Sequence, residues 1–425
     1  MRITAFHARS KILVALIVIL SQFVDIAEGQ DASSTISGGD NGSNDDKDCD
    51  VPTQYRSHGP IIAVTSCTGF VGSRVVRSLR RAGVSSGDIR CLVHRGTTKN
   101  VNSLADLEDV RYVDFMDMSS VAEALRGTSM IYVNTPQSDN VLAMRSNIAH
   151  AIHEAGGIRH IVALGEPADV SWYGLSKYWD DHRSGLSELE RLGIPLTILQ
   201  PSWFLDLFPG IVAHDKFQRV GTKPSPYSSV DDVADVTAAI LRDGPIKHGW
   251  KRYSLINALL TGDEIAQAMT EARGGITTTY VPITLDDFWH GMVDHVHTGE
   301  VAAEGFTKAM GMNDAGAYSR DDLGQLRLLL GRRPREAVEV FSDMRHFFNR
   351  ADRQQKRQQE HQEHSKGDGQ EESEEIPTDG DKNTSSLGYN EASTSSNVGI
   401  SNSKNDKAAI QEAATAERSS GGRSE

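Results

Sequence analysis

Between about residues 60 and 200, short apolar runs alternate with apolar residues at helical spacing. Ile61–Thr65 is a β-branched, apolar run, typical of a strand buried on both faces. The predicted helix after it carries its apolar positions and its terminal glycine at Val71, Val75, Val76, Leu79 and Gly83. Further strands are predicted at Ile89–His94, Val110–Val113, Met130–Val133, His160–Leu164 and Leu196–Leu199. Helices are predicted at Val121–Leu125, Val141–Ala155 and Tyr173–Leu192. This alternation predicts an α/β fold with a doubly wound parallel sheet.

Beyond Pro201 the predicted elements become short and mixed in type. Helical spacing is found at Val230–Leu241, Asp263–Ala272 and Leu285–His295, and strand-like runs at Ser254–Ile256 and Thr278–Val281. No internal repeat is visible. We therefore expect a small mixed C-terminal lobe, of the size of a cap on the sheet domain.

Residues 1–29 have the pattern of a targeting segment. Basic residues precede an apolar run from Ile12 to Leu20, which is shorter than the roughly 18 apolar residues of a spanning helix. We predict a cleaved secretory signal, and hence a protein of the secretory lumen or a secreted one. An uncleaved membrane anchor and an organelle presequence are the alternatives.

Two acidic segments of low complexity flank the part that we expect to fold, residues 60–350. Residues 30–59 contain six acidic and two basic residues, and residues 351–425 contain fifteen and nine. Because both have few large apolar residues, burial cannot offset the entropy lost on ordering, and we predict a disordered linker and a disordered tail. They carry most of the formal net charge of −14, which argues against nucleic-acid binding. Protein partners of the tail stay unidentified.

A glycine turn joins the first predicted strand to the first helix, with the spacing Ser66-x-x-Gly69-x-x-Gly72. Glycines there let a dinucleotide pyrophosphate approach the backbone, and the helix N-terminus offers free N–H groups and a positive dipole end. We assign cofactor binding to the whole turn, which also contains Thr68, Phe70 and Val71. Ser66 replaces the usual first glycine and is strained if the turn needs a positive φ. A strand–helix turn without a ligand is the alternative.

Residues that follow the next strands match the remaining parts of a dinucleotide. Arg95 follows the second strand, where an arginine accommodates the 2′-phosphate of NADP and an acid would favour NAD. Asp114 and Phe115 follow the third strand, where a carboxylate can accept from the adenine amino group. Thr135 and Pro136 follow the fourth strand, at the edge where ligands bind in such sheets. A solvated arginine and a helix N-terminal acid are the alternatives for Arg95 and Asp114.

A tyrosine and a lysine follow the fifth strand at the spacing Tyr173-x-x-x-Lys177. On a helix, residues four apart share one face. The ammonium would lower the pKa of the phenol, which would then pass a proton to a carbonyl as hydride arrives. A surface tyrosine and lysine are the alternative. Trp203 and Phe204, after the sixth strand, are either walls of a substrate pocket or core aromatics.

Cysteine and histidine positions give little support to disulfides or metal sites. Cys49, Cys67 and Cys91 are the only cysteines, and the last two lie at predicted core positions, so we expect no disulfide framework. The histidines at 290, 295 and 297 do not match the spacing of a standard metal site. We therefore assign no metal ligand.

With these residues in place, the chain resembles the NmrA-like branch of the atypical short-chain dehydrogenases/reductases, from about residue 60 to 348. The resemblance rests on the order and spacing of Val64–Gly72, Cys91–Arg95, Val113–Phe115, Lys177, Gly193–Pro201, Val230–Val236 and Leu330–Pro334. It implies an NADP(H)-binding Rossmann domain with a small C-terminal substrate lobe, and it places Pro201 among the cofactor-binding residues. Members of this family include quinone and other carbonyl or double-bond reductases, and also redox-sensing regulators that bind the dinucleotide without turnover.

The chain departs from the family pattern at four places. Ser66 replaces the first glycine, Gln200 stands where arginine is frequent, and Asp206 stands where asparagine is frequent. Gly165-Glu166-Pro167 occupies the end of the fifth strand, where many relatives have a serine that binds the substrate carbonyl. This last departure weakens the catalytic interpretation and leaves cofactor binding intact.

The sequence therefore predicts an NADP(H)-dependent oxidoreductase, with NAD as a possible cofactor. It would transfer a hydride to or from a small carbonyl or quinone-like substrate, with Tyr173 as acid/base and Lys177 on the nicotinamide ribose. The alternative is a cofactor-binding redox sensor or interaction module without turnover.

Overall fold

The computed structural model describes residues 59–348 except 98–100, 137, 167–173, 213, 296–298 and 317–322. The predicted targeting segment, the acidic linker up to residue 58 and the acidic tail lie outside the described residues, as do Cys49, Tyr173 and His297. Within the described part, no helix is both long enough and apolar enough to cross a bilayer.

Twelve strands occur in the described residues. They are β1 (Ile62–Thr65), β2 (Ile89–His94), β3 (Asp109–Val113), β4 (Met130–Val133), β5 (His160–Leu164), β6 (Leu196–Pro201), β7 (Trp203–Phe204), β8 (Lys216–Val220), β9 (Ser225–Ser228), β10 (Lys251–Leu255), β11 (Ala258–Leu260) and β12 (Thr279–Ile283).

Eleven α-helices lie between and after them in the same described ranges. They are α1 (Gly72–Arg81), α2 (Met118–Leu125), α3 (Val141–Ala155), α4 (Lys177–Arg191), α5 (Val230–Asp243), α6 (Pro245–His248), α7 (Gly262–Ala272), α8 (Leu285–His290), α9 (Glu300–Asp314), α10 (Gly324–Leu330) and α11 (Ala337–Asp343). Short 3₁₀ segments cover Ser86–Asp88, Val101–Leu104 and Leu205–Ile211, and a π-helical turn covers Gly291–His295.

The central sheet has seven strands in the order β10-β6-β5-β4-β1-β2-β3, and every pair in it is parallel. The four residues of β1 and the five of β5 are all buried, as expected for strands covered by helices on both faces. The order reverses between β1 and β4, so the chain leaves these two neighbours in opposite directions. This is the Rossmann-type doubly wound sheet that the sequence predicts, and the prediction is confirmed.

Two apolar cores cover the two faces of the sheet. On one face, α1, α5 and α10 contribute buried residues such as Val75, Val233 and Leu326. On the other face, α2, α3 and α4 contribute residues such as Leu125, Ile148 and Leu186. The N-terminal part of the chain therefore folds as its apolar pattern predicts.

A third core lies in the C-terminal lobe. Two small sheets, β11-β9-β7 and β12-β8, share this lobe with α7 and α11, and Phe217, Met269 and Phe341 are buried in its core. The predicted mixed lobe is present. The predicted strand near Ser254, however, is β10, which pairs with β6 at the edge of the central sheet.

Two predicted helices differ from those in the structure. The helix predicted over Tyr173–Leu192 begins only at Lys177, because Gly174 has φ +74° and the Ser176 hydroxyl accepts the Trp179 N–H as an N-cap at 3.5 Å. The helix predicted over Leu285–His295 is α8 followed by the π-helical turn.

Candidate functional site

The turn between β1 and α1 has a backbone shape that restricts its residues. Ser66 has φ +53°, the left-handed conformation that the missing glycine would adopt without strain. Gly69 N–H donates to Ser66 O at 2.8 Å. A Cβ on Gly72 would lie 2.8 Å from the carbonyl carbon of Ser66, and closer to its oxygen. The close approach of α1 to the turn thus depends on glycine at position 72.

Hydrogen bonds attach this turn to the neighbouring strand β4. The hydroxyls of Thr65 and Ser66 both donate to Asn134 O, at 2.7 and 3.0 Å, and Asn134 N–H lies 2.7 Å from the Thr65 hydroxyl oxygen. The turn is therefore fixed at the point where the strand order reverses. In open α/β sheets, ligands bind in the crevice at this point.

At the start of α1, no side chain caps the backbone N–H groups and no acidic residue balances the positive end of the helix dipole. Val71 occupies the N-cap position, where it makes no side-chain cap, and the first turn contains no acidic residue. Since the positive end of the helix dipole attracts anions, the turn and α1 together suit a phosphate group.

Phe70 anchors the turn to the rest of the domain. The Arg74 guanidinium lies over its ring, 4.5 Å from the centroid, and donates to Phe70 O at 2.8 Å. The ring of Phe204 meets that of Phe70 edge-on, with 5.8 Å between centroids. Phe204, predicted as a substrate or core residue, thus lies against the glycine turn.

The residues after β2 and β3 form a second part of the crevice. Thr97 N–H donates to His94 O at 3.0 Å, and Gly96 between them has φ +88°, the geometry of a type II turn. Arg95 is at the exposed second position of this turn and, among the described residues, has no ion-pair partner. The His94 ring is nearly parallel to that of Phe115, with 6.1 Å between centroids.

Asp114 has a structural role in the same region. Its Oδ1 accepts Met116 N–H at 2.9 Å, and its own N–H donates to the Ser120 hydroxyl at 3.2 Å. The carboxylate therefore shapes the turn before α2 with one oxygen.

The other predicted residues lie at the ends of β4, β6 and β7. Thr135 is buried and its hydroxyl has no partner in the described part of the chain, whereas Pro136 is exposed. Pro201 is the buried last residue of β6. Trp203 is half-buried and its ring lies 5.8 Å from that of Phe306 in α9.

Lys177, the first residue of α4, faces solvent. Its side chain is 67% exposed, and its ammonium pairs with Asp181 one turn later at 2.5 Å. In this arrangement the ammonium compensates a carboxylate of its own helix. Tyr173 lies outside the described residues.

A buried polar cluster lies below the ends of β4 and β5, and sequence reasoning did not find it. Arg145 in α3 is 4% exposed and donates to His182 O at 2.9 Å and to Leu164 O at 3.1 Å. Glu166 and Tyr178 are also buried. Burial raises the pKa of Glu166 against the opposing charge of Arg145, and it raises that of Tyr178 and lowers that of His182. The unusual Gly165-Glu166 pair was the only signal in the sequence.

Helix α9 covers this end of the sheet. Asp139, in the loop after β4, accepts the Ala302 N–H at 3.2 Å, and Trp179 Nε1–H in α4 donates to Gly305 O at 2.8 Å. A Cβ on Gly305 would lie 2.8 Å from the Cβ of Tyr178. Because α9 bonds to the segments that follow β4 and β5, it covers the β4–β5 side of the crevice.

Among the described residues, no three His, Cys, Asp or Glu side chains are grouped to hold a metal ion. Cys67 and Cys91 are buried and free. Burial raises the pKa of the Cys67 thiol well above its usual value, which makes it a poor nucleophile.

The sheet order, the glycine turn and the uncapped helix define a Rossmann-type protein with a crevice at the reversal of the strand order. The sequence profile of the NmrA-like family matches residues 60–314, so the chain belongs to the NmrA-like family. No curated protein matches it significantly.

Several solved structures share this fold. An NADPH-dependent quinone oxidoreductase of Escherichia coli, complexed with NADPH, aligns with a TM-score of 0.57 and 23% identity over 67% of this chain and 99% of its own. A triphenylmethane reductase of Citrobacter sp. complexed with NADP(H) gives 0.56 and 24% over 67% and 99%. NmrA, a negative transcriptional regulator in complex with NADP, gives 0.56 and 18% over 67% and 95%.

Proposed function

We propose that this protein binds NADP(H) in the crevice and transfers a hydride between the nicotinamide and a small carbonyl or quinone-like substrate. The observation that carries the proposal is the glycine turn at the reversal of the strand order, followed by a helix without a cap or an acidic first turn. The NADPH and NADP complexes among the structural neighbours support the choice of cofactor.

The residues present fit each part of the cofactor. The pyrophosphate would bind at Ser66–Gly72, where a Cβ at position 72 would close the approach. The adenosine end would lie near Phe115, with the 2′-phosphate on the exposed Arg95 guanidinium. The nicotinamide end would lie near Thr135, Pro136 and Pro201, where the Thr135 hydroxyl, which has no partner among the described residues, can bond a polar group.

NADPH supplies the hydride when it is bound, and the chain supplies position and a proton. Tyr173 would hold a proton for the substrate oxygen. Lys177 would reach the nicotinamide ribose only after its ammonium leaves Asp181, since the two now form an ion pair at 2.5 Å. Helix α9 and the ring of Trp203 would exclude water from the β4–β5 side of the crevice.

A second function, a dinucleotide sensor without turnover, is favoured by one observation. The Lys177–Asp181 ion pair leaves the predicted catalytic lysine exposed. The regulator NmrA among the structural neighbours fits this alternative.

Incubation of purified protein with NADPH and a panel of quinones and aldehydes separates the two functions. We expect NADPH oxidation by wild type and at least a hundredfold slower oxidation by Tyr173→Phe, which removes only the phenolic hydroxyl group. Both proteins should bind NADPH equally in a fluorescence titration. Binding without oxidation of any substrate would contradict the oxidoreductase and support the sensor.

A further inference from the structure

We propose that Glu166 is a neutral carboxylic acid at the carboxyl end of β5 and donates a hydrogen bond to a carbonyl-type oxygen of the ligand. The inference deepens the proposed function, because it assigns the donor that orients and polarises such an oxygen. A neutral carboxylic acid in an apolar site is a strong donor to a developing oxyanion.

The position of Glu166 combines a ligand-binding edge with burial. It is the second residue after β5, at the edge of a parallel sheet where ligands bind. Its side chain is 5% exposed, and its Oε1 has no hydrogen-bond partner within the described residues. An ionised carboxylate in such a place needs a cation or several N–H donors. Glu166 forms no ion pair with a described residue, so the neutral form is the one that suits this site.

Arg145 exerts the largest opposing charge on Glu166, but its guanidinium is bonded elsewhere. It donates to the backbone oxygens of Leu164 and His182, and its stem is held against α4, where a Cβ on Gly185 would lie 2.7 Å from Arg145 Cδ. Arg145 thus fixes the end of β5 and acts on Glu166 through space. Its charge limits the effect of burial, so the acid remains a good donor.

Besides the arginines, the described titratable groups of this buried cluster are Tyr178 and His182, which do not ionise near neutral pH. Burial raises the pKa of Tyr178 and lowers that of His182, both on α4. The pKa of Glu166 is raised by burial and lowered by the charge of Arg145, by a hydrogen bond from its own backbone N–H, and by the charges of Arg183 and Arg252. We therefore expect the donor to be lost only when the pH rises above the pKa of Glu166.

Two measurements that do not need turnover test this role. The first is infrared difference spectroscopy of wild type minus Glu166→Gln at neutral pH. It should show the carbonyl stretch of a protonated carboxyl group, and this band should shift in D₂O. The control is the difference spectrum of wild type minus Glu123→Gln, a variant of an exposed glutamate, in which the band should be absent. Absence of this band in the Glu166→Gln difference would overturn the proposal.

The second measurement is the affinity for 2-methyl-1,4-naphthoquinone in the presence of NADP, followed by tryptophan fluorescence. Glu166→Met has a side chain of similar length without a donor, and should weaken binding about tenfold. Glu166→Gln retains an N–H donor, so it should bind the quinone nearly as tightly as wild type does. Its affinity should not fall at high pH, whereas the affinity of wild type should. Equal affinity and equal pH profiles in all three proteins would overturn the role.

These results are separable from the proposed function. Wild type that shows the band and the pH-dependent affinity but oxidises no NADPH would contradict the reductase and retain the donor. Turnover that is unchanged in Glu166→Met would contradict the donor and retain the reductase. Unaltered NADPH affinity and thermal unfolding show that each variant is folded.

Discussion

The two sides of the crevice are built in different ways. At β1 and β2 the site is made mainly by backbone: Ser66 at φ +53°, Gly72 under α1 and the type II turn that exposes Arg95. At β4 and β5 it is made by side chains that are distant in sequence, such as Trp179, which bonds Gly305 126 residues later. A site made by backbone is sensitive to substitution at the few positions where a Cβ does not fit. A site made by side chains depends on packing between elements that are distant in sequence.

The largest effect is expected on the backbone side, from Gly72→Val. The new side chain would overlap the carbonyl group of Ser66, and we expect a loss of about 3 kcal/mol or more in the free energy of unfolding, with no measurable NADPH binding. Urea unfolding and a cofactor titration check this. Gly324→Ala, where the added Cβ meets open space, is the control. Normal NADPH binding by Gly72→Val would mean that the turn is not the pyrophosphate site.

Arg95→Ala tests the same side of the crevice, because it removes a charge and leaves the backbone of the site unchanged. We expect NADPH binding to weaken by about 1.5–3 kcal/mol, because a charge-assisted bond to the 2′-phosphate is lost, while NADH binding stays unchanged. Titration of both cofactors measures the difference. Arg111→Ala, an exposed arginine paired with Asp109, is the control. An equal loss for NADH and NADPH would show that Arg95 serves the fold.

Asp206 tests the junction between the glycine turn and the C-terminal lobe. Its Oδ2 accepts the Val230 N–H at 2.9 Å, and burial raises its pKa to about 6, with Arg74 opposing. In the unfolded chain an aspartate has a pKa of about 3.9. The folded state therefore holds the extra proton between about pH 4 and 6, and stability is lost as the pH rises through that window.

Asp206→Asn should remove this loss, since the amide oxygen can still accept the Val230 N–H. We expect the variant to be more stable than wild type by roughly 2 kcal/mol above pH 7, with the difference disappearing near pH 4. Urea unfolding at both pH values measures it, with the exposed Asp286→Asn as control. A difference that does not depend on pH would contradict the account.

The smallest effect is expected on the side-chain part of the site. Gly305→Ala adds a methyl group 2.8 Å from the Cβ of Tyr178, which should destabilise the protein by about 1 kcal/mol. Because it displaces α9 and not the glycine turn, we expect weaker quinone binding with unchanged NADPH affinity. Gly311→Ala on the same helix, where the nearest described atom is 3.4 Å away, is the control. A loss confined to NADPH affinity would show that the two sides are not separable.

The same contrast explains what the sequence could predict. Strands β2, β4 and β5 and helix α3 have the predicted bounds, since their apolar pattern is local and complete. The glycine spacing alone predicted that Ser66 would be strained if the turn needed a positive φ, and its φ is +53°. Beyond Pro201, β8, β9 and helices α9 to α11 were missed, because their apolar residues pack against elements from elsewhere in the chain and show little periodicity of their own.

On the β4–β5 side, the sequence did not predict the positions of single residues. The Tyr-x-x-x-Lys spacing predicted one helix, but Gly174 and the Ser176 cap move its start to Lys177. Glu166 was noted only as a departure from a family pattern. Its burial beside Arg145 depends on α3 and α4 packing together, and no local pattern encodes that.

The most direct test of the central claim is a calorimetric titration of NADPH into wild type, Ser66→Asn and Ser66→Asp. Both substituents tolerate the positive φ at this position, but aspartate places a negative charge at the turn and at the positive end of α1. The account predicts that wild type and Ser66→Asn bind NADPH, more tightly than NADH, and that Ser66→Asp binds at least about tenfold more weakly. Equal NADPH affinity in the three proteins, or no binding by folded wild type, would contradict it.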